Sequence, residues 1–332
     1  MIRFGILGFG LHAVKRLIPG FRAAKRCRVT ALSRRDPEKA RASATQFDIP
    51  YAFSSAEELC RCPEVDAVFV TTPNACHRDD VLLALRCGKP VLCEKPMAID
   101  ADQCREMVEG AHRARLLLGV AQVFRFHETL AWMRARIAAS EIGKPVFARS
   151  EFFYPGRSHP RTWLTDKSIA GGGPVADVGV HCIDALRFVL LDEAVRVHTR
   201  GVSDAESGDV ESAAILSLLF RKGTLATVMV STRTQYRTPM EFIGEEGEIF
   251  ADDALSVEHP VRVELSSNDQ VIACEELSNH FSYTRQVDAF AASLEERIPF
   301  PATGEDGWQN QLVLDAAYRS MQSGQMETIQ VL

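Results

Sequence analysis

The chain contains 332 residues, of which 46% are hydrophobic and 25% charged, and its formal net charge is −6. This composition is that of a globular protein and excludes a disordered or fibrous chain, and the length suggests two domains. The acidic balance provides no overall positive field, so we expect no nucleic-acid partner. Apolar runs fall short of the ~20 residues of a membrane helix, and the amino terminus shows no signal-peptide pattern. The nine cysteines form no CxxC pair. We therefore expect a cytoplasmic protein without a disulfide framework, a metal site or a membrane partner.

The first 125 residues alternate short apolar segments with helical ones. Strands are predicted at residues 3–7, 29–32, 51–53, 67–70, 90–93 and 119–124. Helices are predicted at residues 11–23, 36–47, 54–58, 78–87 and 102–115. This alternation indicates a parallel sheet covered by helices on both faces, which binds ligands at the carboxyl ends of its strands.

The rest of the chain is richer in strands. After a helix at residues 128–140, strands are predicted at 144–153, 210–219, 224–231, 240–243, 248–250 and 261–265, and helices at 178–191, 283–297 and 307–323. Tight turns such as 221–223 favour a large, open, mostly antiparallel sheet. We therefore expect an α/β domain at residues 1–124, followed by an α+β domain at residues 125–332. An alternative place for the last helices of the second domain is against the first domain.

One strand of the second domain is apolar on both faces. One set of alternate positions holds Ala214, Leu216, Leu218 and Phe220, and the opposite set holds Ala213, Ile215, Ser217 and Leu219. A strand that faces water on one side shows a cleaner alternation. We therefore expect the outer sheet face to pair with a second copy in a homo-oligomer.

A glycine-rich turn joins the first strand to the first helix. Its residues are Gly8, Phe9, Gly10, Leu11, His12 and Ala13, and they match GxGxxG/A in the strand–turn–helix context that binds dinucleotides. The first glycine permits the tight turn, and the second lets the backbone approach a pyrophosphate at the helix N-terminus. The alternative is a glycine-rich turn of an unrelated α/β protein.

The end of the second strand indicates which dinucleotide binds. An NAD site has an acidic residue at this position, whereas this chain has Ser33 and Arg34, followed by Arg35 and Asp36. Arginine forms planar, charge-assisted bonds to a 2′-phosphate. We therefore predict NADP, with NAD as the alternative. Arg35 is equally well explained as a solvated charge, and Asp36 is better explained as a helix N-cap.

Three further motifs carry a family resemblance. The sequence Thr71-Thr72-Pro73-Asn74, with His77 after it, follows the fourth strand, and Glu94-Lys95-Pro96 follows the fifth. Residues 171–184 read GGGPVADVGVHCID. With the glycine turn, these motifs resemble the Gfo/Idh/MocA oxidoreductases over nearly the whole chain. The resemblance implies a Rossmann domain, then an open-sheet domain, and nicotinamide-dependent oxidation or reduction of a sugar, polyol or related carbonyl compound.

The residue types of these motifs suit that chemistry. A lysine beside a cationic ring in a low-dielectric site has a lowered pKa, so we expect Lys95 to transfer protons. Asp177, His181 and Asp184 fall at i, i+4 and i+7 on one helix face, which suits hydroxyl binding and proton relay. One alternative for this row is an ordinary polar face. A second is a metal site, which fits less well because the row contains a single histidine. Asp184 is equally well explained as a structural partner.

Other candidates are less specific. Arg125 ends the sixth strand, where a substrate contact and a salt bridge are equally plausible. The loop before the triple glycine carries Tyr154, His159, Arg161 and Trp163, and such loops often line sugar sites. In the family, Trp163 matches a position near the nicotinamide pocket. His12 and His77 lie at helix starts near the cofactor loops. Each of them is explained equally well by a cofactor contact or by helix capping.

These observations lead to one prediction of function. The chain is expected to be an NADP-dependent oxidoreductase acting on CH–OH groups of a sugar, polyol or small dicarbonyl compound. Lys95, His181 and Asp177 are the expected catalytic residues. The residues expected to bind cofactor are Gly8, Phe9, Gly10, Leu11, His12, Ser33, Arg34, Thr71, Pro73, Asn74, His77, Glu94 and Lys95. Those expected to bind substrate are Arg125, Trp163, Asp177 and His181. The alternatives are a non-catalytic redox sensor, and an enzyme that uses tightly bound cofactor for elimination or hydrolysis.

Overall fold

A computed structural model describes residues 1–156 and 160–332, so the loop candidate His159 lies outside the described residues. The chain divides into two compact units. One unit comprises residues 1–123 and 281–308, and the other comprises residues 124–280 and 309–332.

Six parallel strands form the sheet of the first unit. They are β1 (Ile2–Leu7), β2 (Cys27–Ser33), β3 (Tyr51–Phe53), β4 (Ala67–Val70), β5 (Val91–Cys93) and β6 (Leu118–Val120). Their order is β3-β2-β1-β4-β5-β6. The helices between them are α1 (Ile18–Ala23), α2 (Pro37–Phe47), α3 (Ala56–Arg61), α4 (His77–Arg86) and α5 (Ala101–Ala114). A π-type turn, Ala13–Leu17, precedes α1. The predicted parallel α/β fold is confirmed.

Helices α2 and α3 begin at side-chain caps. The Asp36 carboxylate accepts hydrogen bonds from the backbone of Glu38 and Lys39 and begins α2. Ser55 caps α3 through its hydroxyl. Each cap satisfies N–H groups that have no partner within the helix. Asp36 is therefore the N-cap of α2, as predicted.

The second unit is built on a sheet of nine strands. Its elements up to residue 280 are α6 (Glu128–Ala138), β7 (Pro145–Phe153), α7 (Lys167–Ala170), α8 (Val180–Leu190), β8 (Ala194–Val202), β9 (Ala213–Phe220), β10 (Leu225–Ser231), β11 (Met240–Gly244), β12 (Glu248–Ala251), β13 (Val261–Ser267) and β14 (Gln270–Leu277). The chain closes with α9 (Ser282–Glu296), α10 (Gly304–Ser323) and β15 (Glu327–Thr328). The sheet order is β14-β13-β12-β11-β7-β10-β9-β8-β15. Only the β7–β10 pair is parallel among its described pairings, so the mostly antiparallel prediction is confirmed.

Some predicted boundaries were wrong. The sixth strand ends at Val120, and Val123–Phe126 forms a 3-10 turn, so Arg125 lies on that turn and not at a strand end. The strand expected from residue 210 begins at Ala213. Three strands were missed, β8, β14 and the two-residue β15. They lie at or next to the sheet edges and carry charged residues, which weakens an apolar strand pattern.

The core of the second unit lies between α8 and one face of the sheet. In β9, the inner positions Ala214, Leu216, Leu218 and Phe220 are buried, as the alternation predicted. Helix α8 is buried on nearly all sides. A polar side chain on α8 therefore needs a partner inside the protein. None of the described helices is long and apolar enough to span a membrane.

Candidate active site

The glycine turn after β1 leaves room for a ligand at its second glycine. Gly8 has a φ of +90°, and a Cβ at this position would lie 2.7 Å from the Thr72 side chain. Thr71 fastens the turn, because its hydroxyl donates to the Gly8 carbonyl at 2.9 Å. Gly10, by contrast, is exposed, and a Cβ there would meet nothing closer than the Gly8 oxygen at 3.7 Å. The turn therefore fits the close approach of a dinucleotide pyrophosphate at a helix N-terminus.

Phe9 serves the fold of this turn. Its backbone N–H donates to the Ser33 carbonyl at 2.9 Å, and its buried ring packs 5.6 Å from the Phe47 ring. Both contacts give Phe9 a packing role in the turn, and its expected cofactor contact stays a prediction. Leu11, in the first helical turn, is 39% exposed.

The end of β2 presents a guanidinium group beside a hydroxyl. The Arg34 Nη1 donates to the Ser43 hydroxyl of α2 at 2.8 Å, which holds this half-buried side chain at the strand end. Ser33 is buried, and Arg35 is exposed. The described geometry thus fits Arg34 as the anion-binding group and leaves Arg35 as a surface charge.

The Glu94 carboxylate at the end of β5 contacts a side chain of the glycine turn. The Glu94 Oε1 lies 2.9 Å from the His12 Nε2, and its Oε2 accepts from the Lys95 backbone at 3.2 Å. Burial acts to raise the pKa of the Glu94 carboxyl, but His12 and Lys95 outweigh burial and hold the pKa below its ordinary value. Glu94 therefore stays ionised beside Lys95. The peptide bond between Lys95 and Pro96 is cis.

His77 fastens two loops of this edge together. Its side chain is fully buried, with Nδ1 3.0 Å from the Pro96 carbonyl and Nε2 2.8 Å from the Thr72 carbonyl. Burial lowers the pKa of His77. Both ring nitrogens thus contact backbone carbonyls, which gives His77 a supporting role in these loops, and its expected cofactor contact stays a prediction. Pro73 begins a 3-10 turn, and Asn74 in that turn is buried.

The triple glycine of the second unit makes room for two side chains. A Cβ on Gly172 would lie 1.8 Å from the Tyr318 hydroxyl, and one on Gly173 would lie 2.1 Å from the Glu211 backbone oxygen. The Glu211 carboxylate accepts hydrogen bonds from the backbone of Gly173 at 3.1 Å and of Val175 at 2.9 Å. Tyr318 donates to it at 3.0 Å. Burial raises the pKa of Glu211, although these hydrogen bonds oppose it.

Sequence reasoning missed Glu211 and Tyr318. Glu211 satisfies backbone N–H groups where the helical segment at Val175 begins, which is the usual place for an acidic cap. The three consecutive glycines were the available indication, since they mark a close approach to other groups. The groups that approach them in this structure belong to the protein itself.

Asp177 lies in a cleft of the second unit. Tyr154 donates to its Oδ2 at 2.7 Å, and the Arg161 Nη2 lies 3.9 Å from the same oxygen. Burial and Asp177 together raise the pKa of Tyr154. The Arg161 guanidinium lies 5.9 Å from the Trp163 ring centre. Two of the loop candidates, Tyr154 and Arg161, thus lie at Asp177, and Trp163 is related to it only through Arg161.

His181 and Asp184 are buried on α8 and have different surroundings. The His181 ring packs against the Phe124 ring at 4.3 Å and lies 6.2 Å from the Phe152 ring. Asp184 accepts two hydrogen bonds from Arg125, at 2.9 and 2.7 Å. Arg125 is therefore engaged in the salt bridge that was the alternative to a substrate contact. The exposed fractions of Asp177, His181 and Asp184 are 7%, 7% and 1%, so the row is not an ordinary solvated face. The described residues include no group of three side chains that could hold a metal ion.

Two family models match the two halves of the chain. The model described as "Oxidoreductase family, NAD-binding Rossmann fold" matches residues 2–122. The model described as "GFO/IDH/MocA C-terminal domain" matches residues 130–250. The resemblance that the motifs indicated is therefore confirmed on both sides of the chain.

Individual proteins are similar over nearly the whole length. The 1,5-anhydro-D-fructose reductase of Ensifer adhaerens is 33% identical over 312 residues, which cover 92% of each chain. The D-xylose 1-dehydrogenase (NADP(+)) 2 of Haloferax volcanii is 30% identical over 323 residues, which cover 97% of this chain and 98% of that one. The crystal structure of aldose-aldose oxidoreductase from Caulobacter crescentus, complexed with glycerol, shares the fold with a TM-score of 0.89 at 24% identity, over 99% of both chains. The chain belongs to the Gfo/Idh/MocA family of oxidoreductases with an NAD-binding Rossmann fold.

Proposed function

We propose that the protein is an NADP-dependent oxidoreductase that acts on a CH–OH or carbonyl group of a sugar, a polyol or a small dicarbonyl compound. Residues 1–124 would bind the cofactor, and residues 125–332 would bind the substrate. The observation that carries the proposal is the carboxyl edge of the parallel sheet. There the open turn at Gly10, the guanidinium of Arg34 and the amine of Lys95 follow three strands of one sheet.

The preference for NADP rests on the end of β2. Gly10, Leu11 and the helix N-terminus suit the pyrophosphate, and Ser33 with Arg34 suits a 2′-phosphate. No carboxylate occupies the position that binds the ribose hydroxyls of NAD. The similar enzyme of Haloferax volcanii has NADP(+) in its name. Thr71, Pro73, Asn74, His12 and Glu94 would complete the edge on which the cofactor lies.

The protein residues would control the proton. When bound, the nicotinamide supplies the hydride chemistry, and the protein supplies position and electrostatics. Lys95 and His181 would give or take the proton at the substrate oxygen. Asp177, held by the Tyr154 hydroxyl, would orient the substrate or the imidazole. Glu94 would keep a negative charge next to Lys95.

The cleft around Asp177 supports a polyhydroxy substrate. It is open to solvent, and its empty volume of about 750 Å³ includes that open mouth. Among the described residues, Tyr154, Arg161, Asp177, Asp204 and Glu206 contribute hydrogen-bonding groups to its lining. Carboxylates accept hydrogen bonds from hydroxyl groups, as a neutral sugar or polyol offers. The similar proteins named above include a reductase of anhydrofructose and a dehydrogenase of xylose.

Absorbance of the reduced nicotinamide tests the reaction. Sugars, polyols and dicarbonyls are supplied in turn with each cofactor in both redox states. We expect turnover with at least one of these classes, faster with the phosphorylated cofactor, and its loss in Lys95→Ala. Tight cofactor binding without turnover would favour a redox sensor. Substrate consumption without net change in the cofactor would favour elimination or hydrolysis.

We further propose that the outer sheet face pairs with a second copy. Leu219, Leu225, Phe147 and Ile243 lie side by side in register across four strands, and we call them the outer apolar row. Leu225 and Phe147 are each 51% exposed. Exposed apolar patches of this kind mark interfaces, and a two-fold axis is the simplest closed arrangement. The nine cysteines are free thiols, which supports the reducing cytoplasm as the compartment.

A further inference from the structure

Three residues of α8 form one stripe, and a neighbouring segment covers it. His181, Asp184 and Phe188 are spaced at i, i+3 and i+7, so they share a helix face. The Phe124 ring lies on the first of them, with the two ring centres 4.3 Å apart and the planes tilted by 33°. Arg125 bonds to Asp184 through Nε and Nη2 and lies 5.6 Å from the centre of the Phe188 ring. Adjacent residues of one segment thus contact adjacent turns of the helix.

Asp184 also accepts a hydrogen bond from a residue of α10. The Asn310 side-chain amide donates to its Oδ1 at 2.8 Å. Asn310 is held in turn by Arg187, whose Nη1 donates to the amide oxygen at 2.6 Å. Arg187 also forms two hydrogen bonds with Glu193, at 2.5 and 2.8 Å. These contacts all lie within the second compact unit.

This network of buried charges is suited to fix the positions of Arg125 and of the adjacent Phe124 ring. The side chains of Arg125 and Asp184 are only 7% and 2% exposed. Two guanidinium groups, those of Arg125 and Arg187, balance the carboxylates of Asp184 and Glu193. A buried ion pair of this kind adds little net stability, but its two-pronged geometry permits one arrangement. Because residues 124 and 125 are adjacent, fixing the guanidinium also fixes the ring of Phe124.

We propose that Phe124, Arg125, Asp184 and Asn310, here called the α8 clamp, are positioning residues that set the orientation of the His181 imidazole. The inference rests on the proposed function, in which His181 handles the substrate proton. Asp184 acts on His181 through Arg125 and Phe124. Misplacement of a reacting group by about 1 Å can cost 10²-fold in rate, so loosening the clamp lowers the chemical rate without removing a proton-transfer group.

Single-turnover hydride transfer at saturating cofactor and substrate provides the kinetic test. Asp184→Asn removes the charge that orients Arg125, and Phe124→Leu removes the ring while leaving the ion pair intact. Each should lower the rate by about 10- to 100-fold with an unchanged cofactor Kd. In a His181→Ala background the same substitutions should cost less than about 3-fold, because the group that they position is gone.

Arg134→Met is the matched control. Its guanidinium lies 4.3 Å from the Phe188 ring centre and donates to the Phe188 carbonyl, so it holds the same helix from another side. This variant should retain the wild-type rate within about 2-fold, as expected for a substitution that does not disturb the reacting geometry. An equal loss in Arg134→Met and Asp184→Asn would mean that general loosening of α8 is responsible, and it would overturn the inference.

Histidine-labelled NMR of the cofactor-free protein gives a readout other than activity. The His181 ring signal is identified by its loss in His181→Ala among the nine histidines of the chain. We expect Asp184→Asn to move this signal and Arg134→Met to leave it in place. An unmoved signal in Asp184→Asn, or an equal rate cost with and without His181, overturns the inference.

Two other outcomes are also decisive. If Asp184→Asn does not fold, Phe124→Leu settles the question through its rate cost with and without His181. If His181→Ala retains the wild-type rate, the proton role of His181 in the proposed function is refuted. The NMR signal then decides by itself whether the α8 clamp orients the ring.

Discussion

Replacing Arg34 with aspartate should move the cofactor preference from NADP toward NAD. The wild-type guanidinium is held at the end of β2 by the Ser43 hydroxyl at 2.8 Å, and its planar group offers two charge-assisted bonds to a 2′-phosphate. Each such bond contributes about 1.5–3 kcal/mol when it is buried. Arg34 is only half-buried, so solvent screening reduces the sum to about 2–4 kcal/mol.

That free energy corresponds to a change of about 30- to 1,000-fold in the ratio of the two dissociation constants. The assay is calorimetric or fluorescence titration of both cofactors into wild type and variant at ~0.15 M salt, where charges beyond ~8 Å are screened. Binding of NAD to Arg34→Asp should improve or stay constant, because aspartate can accept bonds from the ribose hydroxyls.

Arg35→Asp is the matched control, since it makes the same change in charge at an exposed neighbouring position. It should change the ratio by less than about 3-fold, as expected of a screened surface charge. An equal effect in the two variants would show that the general field, and not a contact with Arg34, sets the preference. Equal or tighter binding of NAD by the wild type would refute the assignment of NADP.

The remaining predictions concern chemistry, stability and assembly. Lys95→Ala and His181→Ala should each lower single-turnover hydride transfer by ~10²–10⁴-fold, and the double variant should lose far less than the product if both groups serve one proton; independent losses would separate their roles. Gly173→Ala should lower the free energy of unfolding by about 2–3 kcal/mol or more, because its Cβ would meet the Glu211 backbone oxygen at 2.1 Å. Calorimetry checks this against Gly179→Ala, whose Cβ would meet nothing closer than 3.4 Å, and equal melting temperatures would contradict it. Light scattering at micromolar concentration should report at least a dimer, and charged substitutions in the outer apolar row should dissociate it; a wild-type monomer would contradict the proposed interface.

Much of the first unit was predictable because its patterns are local. The glycine turn, the Asp36 cap and the order of strands and helices each depend on residues close together in the chain. The parallel sheet follows from them, because alternating strands and helices have few other ways to bury their apolar faces. Strands β8, β14 and β15, which lie at or next to the sheet edges, were missed because their charged residues and incomplete burial leave a weak pattern in the sequence.

Partners of the candidate site residues were harder to predict. The sequence places Arg125 at a strand end with a salt bridge as one of two options, and its partner Asp184 lies 59 positions away. No motif shows that the His77 imidazole is buried between the Thr72 and Pro96 carbonyls. One acidic residue before a strand has no distinctive pattern, so the sequence does not single out Glu211.

By itself, the sequence determined the family, the two-part architecture and the positions of Gly8, Gly10, Lys95 and His181, because motif spacing carries that information along the chain. Only the tertiary structure decided which charged and polar side chains bind to other side chains of the protein. The tertiary structure pairs Arg125 with Asp184 and packs the Tyr318 hydroxyl closely against Gly172. A buried charge must be paired where the folded chain brings a partner, and that partner is chosen by packing between segments distant in sequence.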